Sequence, residues 1–150
     1  MKLSTRARYG LRALIDLGLY SKDETISLQS IAGRQNISVS YLEQIMAMLK
    51  KAGIIKSSRG ACGGYQVVKP AEEISVGEIL RVLEGSLNAA VCEEETCQGS
   101  DICVAKTVWK RIIEGISNAV DTLMLSELIE ESRRMRQKNA GMNREQEDEI

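Results

Sequence analysis

SLQSIAGRQNISVSYLEQIMAMLKK, residues 27–51, contains two helical patterns separated by a break. Ser27 is a good N-cap, and Leu28, Ile31 and Ala32 follow at inward-facing positions of a short helix ending near Arg34. Asn36 interrupts the period. From Val39 to Lys51, Leu42, Ile45, Met46 and Leu49 recur at i, i+3, i+4, i+7 and form one apolar stripe. At about 100° per residue, Ser40, Glu43, Gln44, Ala47 and Lys51 fall on the opposite face, which has no bulky apolar residue. A short helix, a tight break and a second helix with a polar outer face follow the order of a helix-turn-helix.

The flanks extend this unit. Residues 5–20 place Leu11, Leu14, Ile15 and Leu19 at helical spacing, with Arg6, Arg8 and Arg12 among them. After Gly53, IIKSSRGACGGYQVV from Ile54 to Val68 has two short β-prone runs around a Gly-rich loop, the pattern of a hairpin. Pro70 closes it. Ser75 and Glu78 form a capping box for a helix through Leu83. The expected fold is mainly α: a winged helix-turn-helix with a small β-hairpin wing.

Charge supports a polyanion partner. Residues 1–70 hold 11 Lys/Arg against 4 Asp/Glu, net +7; residues 71–150 hold 9 against 17, net −8. Ser40 and Gln44 can hydrogen-bond base edges, and Glu43 can accept from a cytosine amino group. Ser38 and Tyr41 sit near the helix N-terminus, where hydroxyls and backbone N–H groups hold phosphates. Arg59 and Gly60 stand at the hairpin tip, where an arginine can enter a narrow minor groove. Arg6, Arg8, Lys50, Lys51 and Lys56 supply candidate phosphate contacts. The same residues also suit a plain solvated face. The basic excess, the element order and the Arg-Gly tip together favour double-stranded DNA.

Gly85 to Cys103 is irregular and carries Cys92, Cys97 and Cys103 as C-x4-C-x5-C. No apolar run approaches a membrane span, and the N-terminus is no signal peptide, so a cytoplasmic location is expected. Structural disulfides are disfavoured there, and the cysteines point to metal or redox chemistry. Thiolates bind soft metals and iron–sulfur clusters, whereas zinc favours C-x2-C pairs and the chain has no histidine. A cluster, a reversible disulfide switch and inert thiols all remain open on spacing alone. Cys62 stands apart and reads as a small packing residue. With no histidine and no convergent acid–base set, an enzyme is not expected. An electron carrier or cluster-transfer protein has no need of Arg59 and the polar helix face.

From Ala105 the helical period returns with Val108, Ile112, Ile116, Ala119 and Leu123, a continuous stripe that calls for a partner helix. SELIEESRRMRQ, from Ser126, reads as a further short helix. The chain from about Lys138 reads as disordered. The expected organisation is a DNA-binding domain over 1–84, a cysteine loop over 85–104, a dimerisation helix and short helix over 105–136, and a tail over 137–150.

Four stretches in this order resemble the winged-helix iron–sulfur transcription regulators that include IscR, NsrR and RirA. They are ISVSYLEQ at 37–44, SSRGACGGYQV at 57–67, SVGEIL at 75–80, and the three cysteines followed by Trp109. The resemblance covers residues 1 to about 130. It implies a homodimer held by the long helix, operator reading by the helix holding Ser38 to Gln44, and repression as the usual role. It also implies an iron–sulfur cluster on Cys92, Cys97 and Cys103, [2Fe–2S] ahead of [4Fe–4S], sensing iron, redox state or nitric oxide. CymR-like members of the group work without a cluster, which leaves a thiol-redox or metabolite-responsive regulator as the alternative. Lys106 stands where IscR carries a histidine, and Arg8 where NsrR-like members supply an acidic ligand.

Overall fold

The computed structural model describes residues 2–87, 97–99 and 101–148, with side chains described as far as Met142. Six helices and one two-stranded antiparallel sheet follow in the order α1 (Thr5–Tyr20), α2 (Leu28–Gln35), α3 (Val39–Lys51), β1 (Ile55–Ser58), β2 (Gly64–Val67), α4 (Val76–Glu84), α5 (Ala105–Asp121) and α6 (Leu125–Asp148). A 3-10 turn, Ala71–Glu73, precedes α4. This is the mainly helical fold with a small wing that the sequence predicts.

Serines start the first four helices. Ser4, Ser27, Ser38 and Ser75 each accept a backbone N–H three residues on, satisfying one of the orphan donors of a helix N-terminus. Ser75 therefore caps as expected, while the Glu78 carboxylate takes Lys69 Nζ at 3.1 Å. Asn36 ends α2 in the left-handed conformation, φ 53°, with its N–H on Ala32 O.

The core gathers around α1, which packs on α2, α3, α4, α6 and β2. Leu14 and Leu17 share one core cluster with Ile31, Leu42, Ile45, Met46, Leu49, Ile79 and Leu83, all fully buried. Each such side chain contributes about 1.5–3 kcal/mol on burial. The buried face of α1 comprises Ala7, Gly10, Ala13, Leu14, Asp16 and Leu17; Leu11, Ile15 and Leu19 lie half-buried at its edge. Small residues let neighbours come close: a Cβ on Gly10 would collide with Leu83, and one on Gly18 with Ile129 of α6.

Two predicted segments differ. α6 runs unbroken to Asp148 rather than ending near Gln137 in a disordered tail. QKNAGMNREQED has no proline and is rich in straight-chain helix formers, so local propensity carries the helix past its last buried residue, Ile129. Cys62 is exposed, not packed. It lies in the turn between β1 and β2, held through its carbonyl by Thr25 Oγ1 at 2.7 Å.

Candidate nucleic-acid interface and thiol loop

Helix α3 presents the two faces its sequence predicts. Leu42, Ile45, Met46 and Leu49 are wholly buried, while Ser38, Ser40, Glu43, Gln44, Ala47, Lys50 and Lys51 are exposed. Ser38 Oγ caps the helix through Tyr41 N at 3.4 Å. Tyr41 is half-buried edge-on to Tyr9, centroids 6.1 Å apart, and the Arg12 guanidinium lies 5.3 Å from the Tyr9 ring.

The wing stands beside α3. β1 and β2 pair in the register Ile55↔Val67 to Ser58↔Gly64. Arg59 and Gly60 are exposed at the tip, and Gly60 adopts φ 110°, open to glycine and strained for other residues. Ile26, just before the α2 cap, adds a third edge: Ile26 N donates to Tyr65 O at 2.9 Å and Tyr65 N to Ile26 O at 2.8 Å. The wing is thus tied by backbone to the start of the helix-turn-helix.

Two predicted phosphate contacts have internal partners. Arg6 Nε donates to Leu83 O at 2.6 Å, closing the C-terminal end of α4. Lys50 Nζ donates to Ser57 Oγ at 2.6 Å, tying α3 to the wing. Arg8 is exposed and donates Nη2 to Thr5 Oγ1 at 3.3 Å; Lys51 and Lys56 are exposed. Beside Arg6, Glu84 accepts Ser4 N at 2.6 Å, and hydrogen bonding from the Ser4 side chain, with smaller help from this backbone bond and the Arg6 charge, holds its carboxyl below the usual carboxylate range.

The second half of the site begins where α4 ends. Cys92 lies outside the described residues. Cys97 is exposed and Cys103 half-buried, both free thiols. Ile102 N donates to Gly99 O at 3.3 Å, shortly before α5 begins. Among the described residues no group of three metal-binding side chains converges.

Helix α5 has no buried residue. Val108 and Ile112 in its N-terminal half are 53% and 42% exposed, and Ile102 and Val104 just before it are 87% and 83% exposed. Ile116 is half-buried and Ala119 exposed, whereas Leu123 packs on the chain's own core and its carbonyl accepts Val76 N at 2.8 Å. Arg81 of α4 anchors the far end, donating to both Asp121 oxygens at 2.6 and 2.8 Å, which holds the Asp121 carboxyl below its ordinary value. Among the described residues no helix is long and apolar enough to cross a membrane.

Sequence reasoning missed a polar cluster that joins α1 to the end of α2. Asp16, buried in α1, accepts Arg34 Nη2 at 2.7 Å, Arg34 Nε at 3.0 Å and Gln35 Nε2 at 2.9 Å. The hydrogen bond to Asp16 raises the Arg34 pKa. The available signal was a lone aspartate between Ala13 and Leu17 on an otherwise small and apolar face.

A family model, Rrf2, described as an iron-dependent transcriptional regulator, matches residues 3–131. The chain is 39% identical over 130 residues to the HTH-type transcriptional regulator IscR of Serratia proteamaculans, covering 86% of this chain and 79% of that one. The solved structure of T. potens IscR matches with TM-score 0.73 at 39% identity, covering 88% of each chain. That of CymR, the global cysteine regulator of B. subtilis, matches with TM-score 0.75 at 35% identity, covering 87% of this chain and 97% of that one. These relatives are transcription regulators, not enzymes, in line with the lack of a catalytic set in the sequence. With the helix-turn-helix, the wing and the matched span in agreement, the chain belongs to the Rrf2 family and is a DNA-binding transcriptional regulator of the IscR-like kind.

Proposed function

We propose that the protein is a homodimer that reads a double-stranded operator, as a repressor, and that an iron–sulfur cluster on Cys92, Cys97 and Cys103 adjusts its grip. The observation that carries this reading is the position of the thiols. Cys97 and Cys103 lie between α4, part of the DNA-binding unit, and α5, the helix with an unpartnered apolar row. The donor set fits the group: the two described thiols are free, thiolates are the usual cluster ligands, and the chain offers no imidazole. When bound, such a cluster supplies sensitivity to iron supply, oxidants or nitric oxide, with [2Fe–2S] the first choice.

The protein's own residues do the reading. Ser40, Glu43 and Gln44 face base edges, and Glu43 rewards cytosine and penalises its absence. Arg59 enters the minor groove, while Arg8, Lys51 and Lys56 meet phosphates. Arg6 and Lys50 hold α4 and the wing in place, so their removal acts through geometry first. Holding Cys97 and Cys103, between α4 and α5, to one centre sets how the two reading units of a dimer are spaced.

A second reading has its own support in the likeness to CymR, named a cysteine regulator: a cluster-free regulator that responds through its thiols. Colour separates the two. Protein purified without oxygen is expected to absorb in the visible, and Cys92→Ala, Cys97→Ala and Cys103→Ala each to remove the bands. Cys62→Ala, at the wing tip, leaves them. A colourless wild type favours the thiol reading instead, and bands that persist unchanged in Cys103→Ala would remove Cys103 from the ligand set.

A further inference from the structure

A buried carboxylate holds its partners firmly, because losing them would leave a charge in the core. Asp16 is 1% exposed and grips Arg34 and Gln35, the last two residues of α2. Arg12 grips Gln35 from outside, Nε on its side-chain oxygen at 3.2 Å and Nη2 on its carbonyl at 2.7 Å. The next three residues are the left-handed Asn36, the buried Ile37 and Ser38, the cap of α3. The end of α2 therefore decides where the DNA-facing end of α3 begins.

This clamp continues to α6. The Arg34 guanidinium stacks 4.1 Å from the ring of Tyr20, the last residue of α1. Arg136 of α6 donates Nη1 to the Tyr20 hydroxyl at 2.7 Å, with its guanidinium 5.6 Å from the same ring. One ring thus links α6 to the arginine fixed by Asp16. Arg136 lies beyond the span shared with the family, which ends at residue 131.

We propose that Tyr20 and Arg136 are positioning residues for operator recognition: they tie α6 to the end of α2 and so hold the turn before α3 in its DNA-reading orientation. The inference goes beyond the cluster reading and rests only on α3 being the reading helix. The tie lies at the surface, where Tyr20 is 42% exposed and Arg136 exposed. A cleft of about 360 Å³ lined by Arg12, Ile15, Gln35, Leu128, Met135 and Arg136 opens beside it. Releasing the tie therefore frees the outer part of α6, beyond the buried Ile129, to shift without opening the core. Exposed polar ties add little to global stability, so the expected consequence is geometric.

The test uses the full chain, a duplex selected by the wild-type protein from a randomised library, and poly(dI-dC) as non-specific DNA. Tyr20→Phe, which keeps the ring, and Arg136→Gln are each expected to weaken the selected duplex about fivefold. Poly(dI-dC) binding and the melting temperature stay near wild type. The double variant is no weaker than the weaker single one, because both remove one link. Unchanged selected-to-non-specific ratios, additive losses, or equal losses on both duplexes would overturn the proposal. Gln44→Ala is the control on α3. If it lowers the ratio and the tie variants do not, the tie is wrong while the reading helix stands. If Gln44→Ala leaves the ratio unchanged, α3 is not the reading helix and the proposal falls with it.

Discussion

Ile112→Glu should turn the protein into a monomer and weaken its hold on a selected operator by about 10²–10⁴-fold, the gain that joining two modest binding units gives. Helix α5 touches the rest of its own chain mainly at α4. Val108 and Ile112, one turn apart, leave about half of their surfaces to water. A 17-residue helix with no buried side chain lacks the packing that normally stabilises helices in proteins, and in the proposed dimer a second copy of its apolar row would supply it. A glutamate placed in that row must lose its hydration on association, which costs several kcal/mol. The fold should survive, because Ile112 lies outside the core cluster. Sedimentation reads the oligomeric state, far-ultraviolet circular dichroism the fold, and titration of the selected duplex the affinity. A variant that stays dimeric, or a monomer that binds the operator as tightly as wild type, removes α5 from the account.

Gly64→Ala should destabilise the fold by about 2–4 kcal/mol, through two lost backbone hydrogen bonds and a disturbed helix cap. A Cβ at Gly64 would run into the Ile26 carbonyl oxygen, and would lie 2.5 Å from the Ile26 carbonyl carbon and 2.9 Å from Ser27 N. All three are backbone atoms, and no side chain can swing aside. The Ile26–Tyr65 pair must open, and with it the tie between wing and helix-turn-helix. Gly60→Ala is the contrasting case. Its Cβ meets open space, so only the strain of φ 110° remains, about 1–2 kcal/mol. Urea unfolding separates the two. Equal midpoints would mean that Gly64 tolerates a side chain and that the close approach is not required.

The helix-turn-helix was legible because its rules are local. The Ser27 cap, the break at Asn36 and a 3.6-residue apolar period are written within a few residues of one another, and the structure places them where the sequence predicts, adding the Ser38 cap and the left-handed turn of Asn36. The wing was legible as a hairpin, but its third edge at Ile26 was not, since that pairing joins residues nearly forty positions apart. Arg6 and Lys50 illustrate the same limit. Basic residues on a reading unit look alike in sequence, yet these two spend their donors on Leu83 O and Ser57 Oγ. Leu123 continues the α5 stripe in sequence, but the chain turns there and packs it on its own core. Asp16 was hidden because a period of apolar residues does not reveal which neighbours will reach a carboxylate. The length of α6 was missed because polarity was weighed over propensity.

On the proposed reading, a cluster on Cys92, Cys97 and Cys103 adjusts operator binding. The most direct measurement of this is an anaerobic titration of one selected duplex with two forms of the same preparation, cluster-loaded and chelator-stripped, at matched dimer concentration and salt. The account predicts that the two forms differ in affinity for at least one selected operator by about tenfold or more, and that Cys103→Ala binds like the stripped form whether or not iron and sulfide are supplied. Equal affinities of loaded and stripped dimers for every operator that either form selects would contradict it.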